Sequence, residues 1–344
     1  MVTGARRAVD AGVVGDVSEP GPEDTLAALG EDAVVGDILR ALASSPAPPW
    51  VAVGPGDDAA VLDLGGPVVV STDTLAEGPD FRTVWSGGAD VGVKAVAQNF
   101  ADVAAMGAVP RAMLVSLAAP ATLPAGWARA LREGLVEECS RAGAVLVGGD
   151  VSAASEIVVT GTAVGVLDGV APVLRSGARP GDVVALAGAT GASAAGLAAL
   201  TAGLGDEPEW ERVVRLHLRP VPPYAAGPAA ARAGATAMID TSDGLLRDAE
   251  RVASASGVRI DIDPAAPEAD VVAAAERFGA DALGWVLGGG EDHALLATFP
   301  ASVTPPEPFR VVGRVLPAGD ADGPAVLVAG EPWHGSPGWR HFSS

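Results

Sequence analysis

The sequence predicts an α/β protein of two domains, and three observations support that prediction. The chain has 344 residues, more than a single hydrophobic core usually serves. Apolar residues make up 49% of it, which is enough to build two cores. Short runs of Val, Ile and Leu alternate with longer helical patterns along most of the chain, as they do in α/β folds.

The first predicted domain covers residues 29–167. Residues 1–28 are rich in Gly, Pro and acidic side chains without periodicity, and they predict a flexible N-terminal extension before it. The predicted helices share an apolar period near 3.6 and cover residues 32–42, 90–106 and 127–141. The predicted strands share β-branched runs and cover residues 51–53, 60–64, 68–72, 112–117, 145–148 and 157–166.

A second predicted domain covers residues 174–344 and begins at the turn-rich segment RSGARPGD. Its predicted helices cover residues 194–200, 244–255 and 268–278. Its predicted strands cover residues 183–186, 235–239, 258–262, 295–299, 310–315 and 326–328. The tail carries Trp333, Trp339 and Phe342, which indicates that it packs on the domain, because aromatic residues are only 4% of the chain.

Charge and cysteine content limit the classes of function. The chain has 22 basic and 43 acidic residues, a net charge of −21, which excludes a nucleic-acid-binding surface. Cys139 is the only cysteine, so a reduced, cytoplasmic setting is expected. The charge-free residues 183–205 contain five glycines and predict a strand, a loop and a helix rather than a membrane span. No signal peptide is expected.

Acidic and hydroxyl side chains recur where predicted strands end. The groups are Asp57–Asp58, Ser71–Thr72–Asp73, Gly149–Asp150, Asp240–Asp243 and Glu291–Asp292. Each taken alone is explained by a polar turn, and Ser242 could simply cap the helix that follows it. Carboxylate oxygens bind Mg²⁺, and helix N-termini bind phosphate. Five such groups in one chain therefore predict a shared metal and phosphate site.

Other residues leave two interpretations open. On the helix 90–106, Lys94, Gln98 and Asp102 lie opposite the apolar face, as part of a site or as a solvated stripe. Arg175 is either a phosphate clamp or a surface arginine. His217 and His293 have no metal-ligand spacing, so we expect no zinc role for them.

In order and spacing, several segments resemble the thiamine-monophosphate kinase family, from about Leu29 to Phe342. They include GDDAAVL, STDTLAEG, KAVAQNFADVAAMGAVP, VGGDVS, RSGARPGD, TGASAAGL, HLRP, IDTSDGLLRD and GGGEDHALL. This family belongs to the ATP-using superfamily of aminoimidazole ribonucleotide synthetase. The resemblance implies a two-domain α/β (α+β) fold, in which the N-terminal domain pairs across a homodimer and the C-terminal domain is α/β.

The resemblance also implies a set of site residues. Magnesium ligands would be Asp58, Ser71, Thr72, Asp73, Asp102, Asp150, Asp240 and Asp243. ATP contacts would come from Gly149, Asp150, Arg175 and Ser242. Substrate contacts would come from Glu291 and Trp339, and Asp80 stands where the family usually has a substrate-contacting histidine.

The expected reaction is Mg²⁺-dependent transfer of the ATP γ-phosphoryl group to thiamine monophosphate, with no nucleic-acid or membrane partner. The acceptor is already a phosphate, so the transfer needs no general base and is expected to be direct and in line. Two alternatives stay open. One is a nucleotide- and Mg²⁺-binding paralogue without activity, and the other is a superfamily enzyme with another acceptor. The single cysteine disfavours the selenophosphate synthetase and hydrogenase-maturation branches.

Overall fold

The computed structural model describes residues 21, 23–44, 46–55, 59–318 and 325–339. The chain divides into two compact units. The first comprises Met1–Val68, Thr72–Val96 and Arg111–Val164, and the second comprises Val69–Ser71, Ala97–Pro110 and Gly165–Ser344. The predicted domain boundaries at residues 28, 167 and 174 stay predictions. The chain is already helical from Leu26.

The N-terminal half is built from the predicted alternation of strands and helices. Its helices are α1 (Leu26–Leu29), α2 (Glu31–Ala43), α3 (Gly88–Ala105) and α4 (Ala125–Arg141). Its strands are β1 (Val51–Val53), β2 (Val61–Leu62), β3 (Val68–Ala76), β4 (Val109–Ala119), β5 (Val145–Ala153) and β6 (Val158–Val166). β1 and β2 form an antiparallel pair. The other strands form a sheet in the order β3-β6-β4-β5, with β4 and β5 parallel.

Glycines bring α3 and α4 into close contact in the first unit. A Cβ on Gly92 would lie 2.3 Å from the carbonyl oxygen of Leu131, and one on Gly134 would lie 2.1 Å from that of Ala89. Only glycine fits such an approach of two backbones. Further along α3, Lys94 and Gln98 are 3% and 7% exposed, so the interpretation of this face as a solvated stripe is wrong.

The C-terminal half contains a six-stranded mixed sheet. Its strands are β7 (Val183–Ala187), β8 (Ala237–Asp240), β9 (Arg259–Ile262), β10 (Leu295–Phe299), β11 (Arg310–Leu316) and β12 (Val326–Val328). They lie in the order β12-β9-β11-β7-β10-β8. β10 is antiparallel to both neighbours, whereas β12 is parallel to β9. Both halves mix helices and strands, as the predicted α/β (α+β) class requires.

Among the described residues, six helices accompany the second sheet, and two of them form an apolar core with it. The six are α5 (Ala192–Thr201), α6 (Glu211–Leu218), α7 (Ala226–Ala233), α8 (Leu245–Ser256), α9 (Ala269–Phe278) and α10 (Ala282–Gly288), with a 3-10 turn at Pro208–Trp210. Ile239, Ile260 and Leu296 of the sheet are buried against Leu245 of α8 and Leu287 of α10. Ile239 and Leu245 flank residues 240–244, and Leu287 and Ala294 flank residues 288–293, so this core holds both ends of the two segments that carry predicted site residues.

The predicted elements match these bounds closely at some places and miss them at others. β1, β10 and β12 have the predicted ends, whereas α6, α7 and α10 were not expected from the sequence. β3 and β5 continue for four and five residues beyond their predicted ends at residues 72 and 148. No helix among the described residues is long and apolar enough to cross a membrane.

Candidate active site

Three segments of the second unit lie side by side and contain most of the C-terminal residues predicted for the site. The amide of Glu291 donates to the carbonyl of Ser242, at 2.8 Å. The amide of His293 donates to the carbonyl of Thr241, at 3.0 Å, and the amide of Trp339 donates to the carbonyl of Asp243, at 2.8 Å. Residues 240–243, 291–293 and 336–339 are thus held together by their backbones.

Glycines allow these three segments to approach each other. Gly244 has φ 122°, and a Cβ there would lie 3.0 Å from the backbone of Gly288. Gly338 has φ 141°, and a Cβ there would lie 2.3 Å from the carbonyl oxygen of Asp243. Residues with a side chain rarely adopt these backbone conformations, and the space that a Cβ would need is already occupied by other backbone atoms. Glycine at position 244 therefore permits the approach to Gly288, and glycine at position 338 permits the tail to reach Asp243.

Asp240 is the last residue of β8, as predicted, and it is paired with a histidine. Its Oδ2 lies 3.2 Å from Nδ1 of His293, and both residues are 4% exposed. His293 itself has φ 51°, an uncommon conformation for a residue other than glycine. The pair fixes the orientation of the Asp240 carboxylate.

Asp243 lies beside positive side chains of α8. Its carboxylate forms a short ion pair with Arg251, and Nε of Arg247 lies 3.5 Å from it. The Ser242 side chain forms no cap on α8, whose N-cap is Gly244, so the capping interpretation is wrong. The backbone amide of Asp243 donates instead to the buried carboxylate of Asp248, at 3.1 Å.

The charges in this turn perturb Asp248. Burial, helped by the negative charges of Asp240 and Asp243, raises the pKa of its carboxyl to about 7, although Arg251 opposes the shift. The carboxylates of Asp240 and Asp243 thus act on Asp248 as negative charges, and Arg251 offsets them in part. A bound cation would offset them further.

Asp292 ties the loop of Glu291 to the N-terminus of α5. Its carboxylate accepts hydrogen bonds from the amides of Gly191, at 2.6 Å, and Ser193, at 2.9 Å. Burial raises its pKa to about 7, while these two hydrogen bonds act in the opposite direction. The glycine-rich loop before α5 therefore holds a carboxylate of the protein itself.

The predicted residues of β3 lie in the middle of that strand, so their predicted position at a strand end is wrong. The hydroxyl of Ser71 donates to Oδ2 of Asp102, at 2.7 Å, and this joins two predicted magnesium ligands. The hydroxyl of Thr72 donates to the carbonyl of Gly161, at 2.7 Å. Asp73 is exposed on the strand. The sheet needs these residues as strand because β6 pairs alongside them.

Gly149 and Asp150 also lie inside a strand rather than after it. Gly149 is opposite Val115 in the parallel pair of β4 and β5, and a Cβ there would lie 2.0 Å from the Val115 carbonyl oxygen. Asp150 is exposed, and so is Arg175. The backbone carbonyl of Arg175 accepts a hydrogen bond from the Ser256 hydroxyl, at 3.1 Å.

Asp80 is used within its own turn. Its Oδ2 accepts a hydrogen bond from the amide of Ala76, at 2.8 Å. The ammonium group of Lys94, the only lysine of the chain, donates to the backbone carbonyl of Asp80, at 3.0 Å. Both interactions fix the turn at residues 76–81, which follows the polar part of β3.

Metal binding was predicted from all of these oxygen ligands. Among the residues that the structure describes, no three His, Cys, Asp or Glu side chains form a ready-made metal cluster. Asp57 and Asp58 lie outside the described residues. The ligand roles of the predicted set therefore stay predictions.

Sequence reasoning missed the residues that support this loop. His217 and His293 were set aside because they lack metal-ligand spacing, yet each lies against an acidic side chain of the candidate site. Ser193 and Arg251 were not singled out either, and Asp292 was named only as one of the acidic groups of the shared site. The signal available in the sequence was the position of both histidines inside motifs, HLRP and GGGEDH, that already counted toward the resemblance.

Comparison with known proteins agrees with the two-domain fold. Residues 56–167 match the family model of the AIR synthase related protein, N-terminal domain, and residues 179–292 match that of its C-terminal domain. The chain is therefore a two-domain protein of the AIR synthase related class.

The similar proteins define the family within that class. Thiamine-monophosphate kinase of Mycobacterium tuberculosis is 51% identical over 323 residues, covering 92% of this chain and 93% of the relative. That of Corynebacterium glutamicum is 42% identical, covering 83% and 88%. The chain belongs to the thiamine-monophosphate kinase family.

Solved structures of this family have the same fold. Thiamine monophosphate kinase from Aquifex aeolicus has a TM-score of 0.72 and 30% identity, covering 89% of this chain and 98% of that one. The structure of AaThiL complexed with AMPPCP and TMP has a TM-score of 0.74 and 31% identity, covering 91% and 97%.

Proposed function

We propose that this protein transfers the γ-phosphoryl group of ATP to thiamine monophosphate, giving thiamine diphosphate and ADP. Membership of the thiamine-monophosphate kinase family supports the reaction. One observation supports the location: the backbones of residues 240–243, 291–293 and 336–339 are hydrogen-bonded to each other. These segments carry acidic groups suited to cation binding, a partly exposed glutamate, Glu291, and an exposed tryptophan, Trp339.

We propose Mg²⁺ as the metal, because the available ligands are hard oxygen donors and the negative charges of the Asp240 and Asp243 carboxylates add to the rise in pKa that burial gives Asp248. When bound, magnesium ions neutralise phosphate charge. The proposed ligands are Asp58, Ser71, Thr72, Asp73, Asp102, Asp150, Asp240 and Asp243.

The remaining residues orient the two substrates. We assign ATP contacts to Gly149, Asp150, Arg175 and Ser242. Arg175 is exposed and suited to grip two phosphate oxygens at once, because its guanidinium is planar and carries several donors.

We assign substrate contacts to Asp80, Glu291 and Trp339. Thiamine carries a permanent positive charge on its thiazolium ring, which a carboxylate such as Glu291 can bind. Trp339 is 61% exposed although its backbone is anchored to Asp243, so its indole can offer a flat apolar face to an aromatic ring.

The chemistry asks little of the side chains beyond positioning. The second pKa of a phosphate monoester is about 6, so the acceptor oxygen is already ionised at neutral pH. The protein must hold that oxygen in line with the γ-phosphorus and exclude competing water. His293 fixes the carboxylate of Asp240, and Arg251 fixes that of Asp243, so both acidic groups are oriented before substrates bind.

A coupled assay with ATP, Mg²⁺ and thiamine monophosphate tests this function. We expect thiamine diphosphate to form, and its formation to be lost in Asp73→Asn and Asp243→Asn. Asp206→Asn, which removes an exposed acid outside the proposed site, serves as the control. Nucleotide binding without transfer to any thiamine phosphate would favour the inactive paralogue. Transfer to a different acceptor alone would favour the other superfamily reaction.

Two properties of the protein are part of the same proposal. We propose a homodimer, as the resemblance implies, and light scattering on the purified protein measures its mass. We also propose a reduced, cytoplasmic setting, supported by the buried state of the single cysteine, Cys139.

A further inference from the structure

We propose that His217 is a positioning residue, which together with Ser193 sets the carboxylate of Glu291 for the cationic end of the substrate. The inference rests on the proposed function, because that function places Glu291 against thiamine monophosphate. It concerns a specificity determinant: His217 would control affinity for the thiamine moiety rather than the transfer of the phosphoryl group.

The contacts form a short polar chain inside the second unit. Nδ1 of His217 lies 2.9 Å from the hydroxyl oxygen of Ser193 and 3.5 Å from Oε2 of Glu291. His217 is 4% exposed and Ser193 is 2% exposed. The Glu291 side chain is 35% exposed, so it contacts the buried His217 and is still accessible to a ligand.

The burial of His217 requires an explanation. Val213, Val214 and His217 form the buried face of α6, where an apolar residue at position 217 would complete the pattern. A buried polar ring costs free energy unless it is hydrogen-bonded. The contacts with Ser193 and Glu291 provide that compensation, which makes sense of a histidine at this position.

The packing of α5 against α6 leaves His217 little freedom. A Cβ on Gly196 of α5 would lie 2.2 Å from the carbonyl oxygen of Val213 and 2.9 Å from Cβ of His217. The two helices therefore meet at a glycine, and the imidazole is held beside the first turn of α5, where Ser193 lies. A rigid support of this kind reduces the freedom that a binding group must lose on binding.

The loop of Glu291 is held from the other side as well. The backbone amide of Ser193 donates to the carboxylate of Asp292, and its hydroxyl contacts His217, so Ser193 links the neighbour of Glu291 in the chain to the histidine that contacts Glu291. Glu291 has φ 63°, a conformation that costs free energy in a residue with a side chain. Such an outlier, fixed on both sides, indicates that the direction of this one side chain matters.

The expected kinetic effect follows from where Glu291 acts. A contact with the thiamine moiety, away from the reacting phosphates, contributes to the ground state and the transition state alike. Loss of its positioning should raise KM for thiamine monophosphate more than it lowers kcat, and it should spare KM for ATP. A tenfold rise corresponds to about 1.4 kcal/mol, which is within the range expected for the loss of one polar contact.

The experiment compares His217→Asn with His217→Gln in steady-state kinetics. The amide nitrogen of asparagine can occupy the position of Nδ1, whereas that of glutamine extends toward the position of Nε2. We expect KM for thiamine monophosphate to stay within about threefold of wild type in His217→Asn and to rise about tenfold in His217→Gln. Ser193→Ala should give an intermediate rise.

A double-mutant cycle separates positioning from general damage. If His217 acts through Glu291, the rise in KM caused by His217→Gln should nearly vanish in a Glu291→Gln background. Additive effects, equal KM values in the Asn and Gln variants, or an equal rise in KM for ATP would overturn the inference. If His217→Gln does not fold, the smaller change Ser193→Ala is put through the same cycle. A rise in KM that nearly vanishes in the Glu291→Gln background supports the inference, and an additive rise overturns it.

Failure of the proposed function is recognised separately. The wild-type protein is assayed first, and if it makes no thiamine diphosphate the proposed function fails regardless of His217. If the wild type is active and the variants behave additively, only the role of His217 fails.

Discussion

Asp292→Asn tests how burial and hydrogen bonding compete at the loop that carries Glu291. The carboxylate accepts hydrogen bonds from the amides of Gly191 and Ser193, yet burial raises its pKa from 3.8 to about 7. Asparagine has nearly the same shape and does not ionise. The difference in stability between the two proteins therefore isolates the charge on Asp292.

The sign and size of the effect follow from the pKa. The folded-state pKa lies above the unfolded-state value, so the stability that this group contributes is complete below about pH 4 and is lost as the pH rises toward about 7. Each pH unit inside this window changes the free energy of unfolding by about 1.36 kcal/mol. From about pH 4.5 to about pH 6.5 the loss is up to ~2.7 kcal/mol. This is an upper value, because Asp292 is partly exposed.

Urea unfolding followed by tryptophan fluorescence measures this change. We expect Asp292→Asn to gain up to ~2.7 kcal/mol relative to wild type between the two pH values, since other titrating groups cancel in the comparison. A difference that stays constant with pH would refute the reasoning. A difference of the opposite sign would mean that the two amides stabilise the charge more than burial penalises it.

Three further predictions concern packing and thiol reactivity. Gly196→Ala should lower the free energy of unfolding, measured in urea, by ~1–3 kcal/mol, because the added methyl would lie 2.2 Å from the Val213 carbonyl oxygen. Leu197→Ala, at a position 42% exposed on the same helix, is the control and should lower it much less. Leu287→Ala, at a fully buried core position, should lower the free energy of unfolding by ~2–5 kcal/mol, and an unchanged urea midpoint would contradict the assigned core. Burial and the charge of Glu138 raise the pKa of Cys139, so iodoacetamide should modify it in urea far faster than in the native protein; equal rates would show it accessible.

The sequence predicted strands best at short runs of mostly apolar residues, as in VAV at Val51–Val53 and LLATF at Leu295–Phe299. It did not predict α7, whose sequence AGPAAARA contains a proline in its first turn, where a missing amide costs nothing. It did not predict α10 either, a short helix with two glycines. Tertiary packing stabilises both helices, and a local pattern cannot report that packing.

The candidate site was predictable in its residues but not in its contacts. The motifs identified Asp240, Asp243 and Glu291, and the structure adds that their segments are hydrogen-bonded to each other. The partners of these groups were missed, because the contact of His293 with Asp240 spans 53 residues and that of Ser193 with His217 spans 24. Such pairs depend on how the helices and the sheet pack, and no spacing rule along the chain encodes them.

A single-turnover experiment with γ-labelled ATP, Mg²⁺ and thiamine monophosphate tests the central claim most directly. The account predicts that the label passes to the terminal phosphate of thiamine diphosphate, that free thiamine acquires none, and that no labelled protein accumulates on the way. Bound ATP whose label never reaches thiamine monophosphate, or a labelled covalent phosphoenzyme that is competent for turnover, would contradict it.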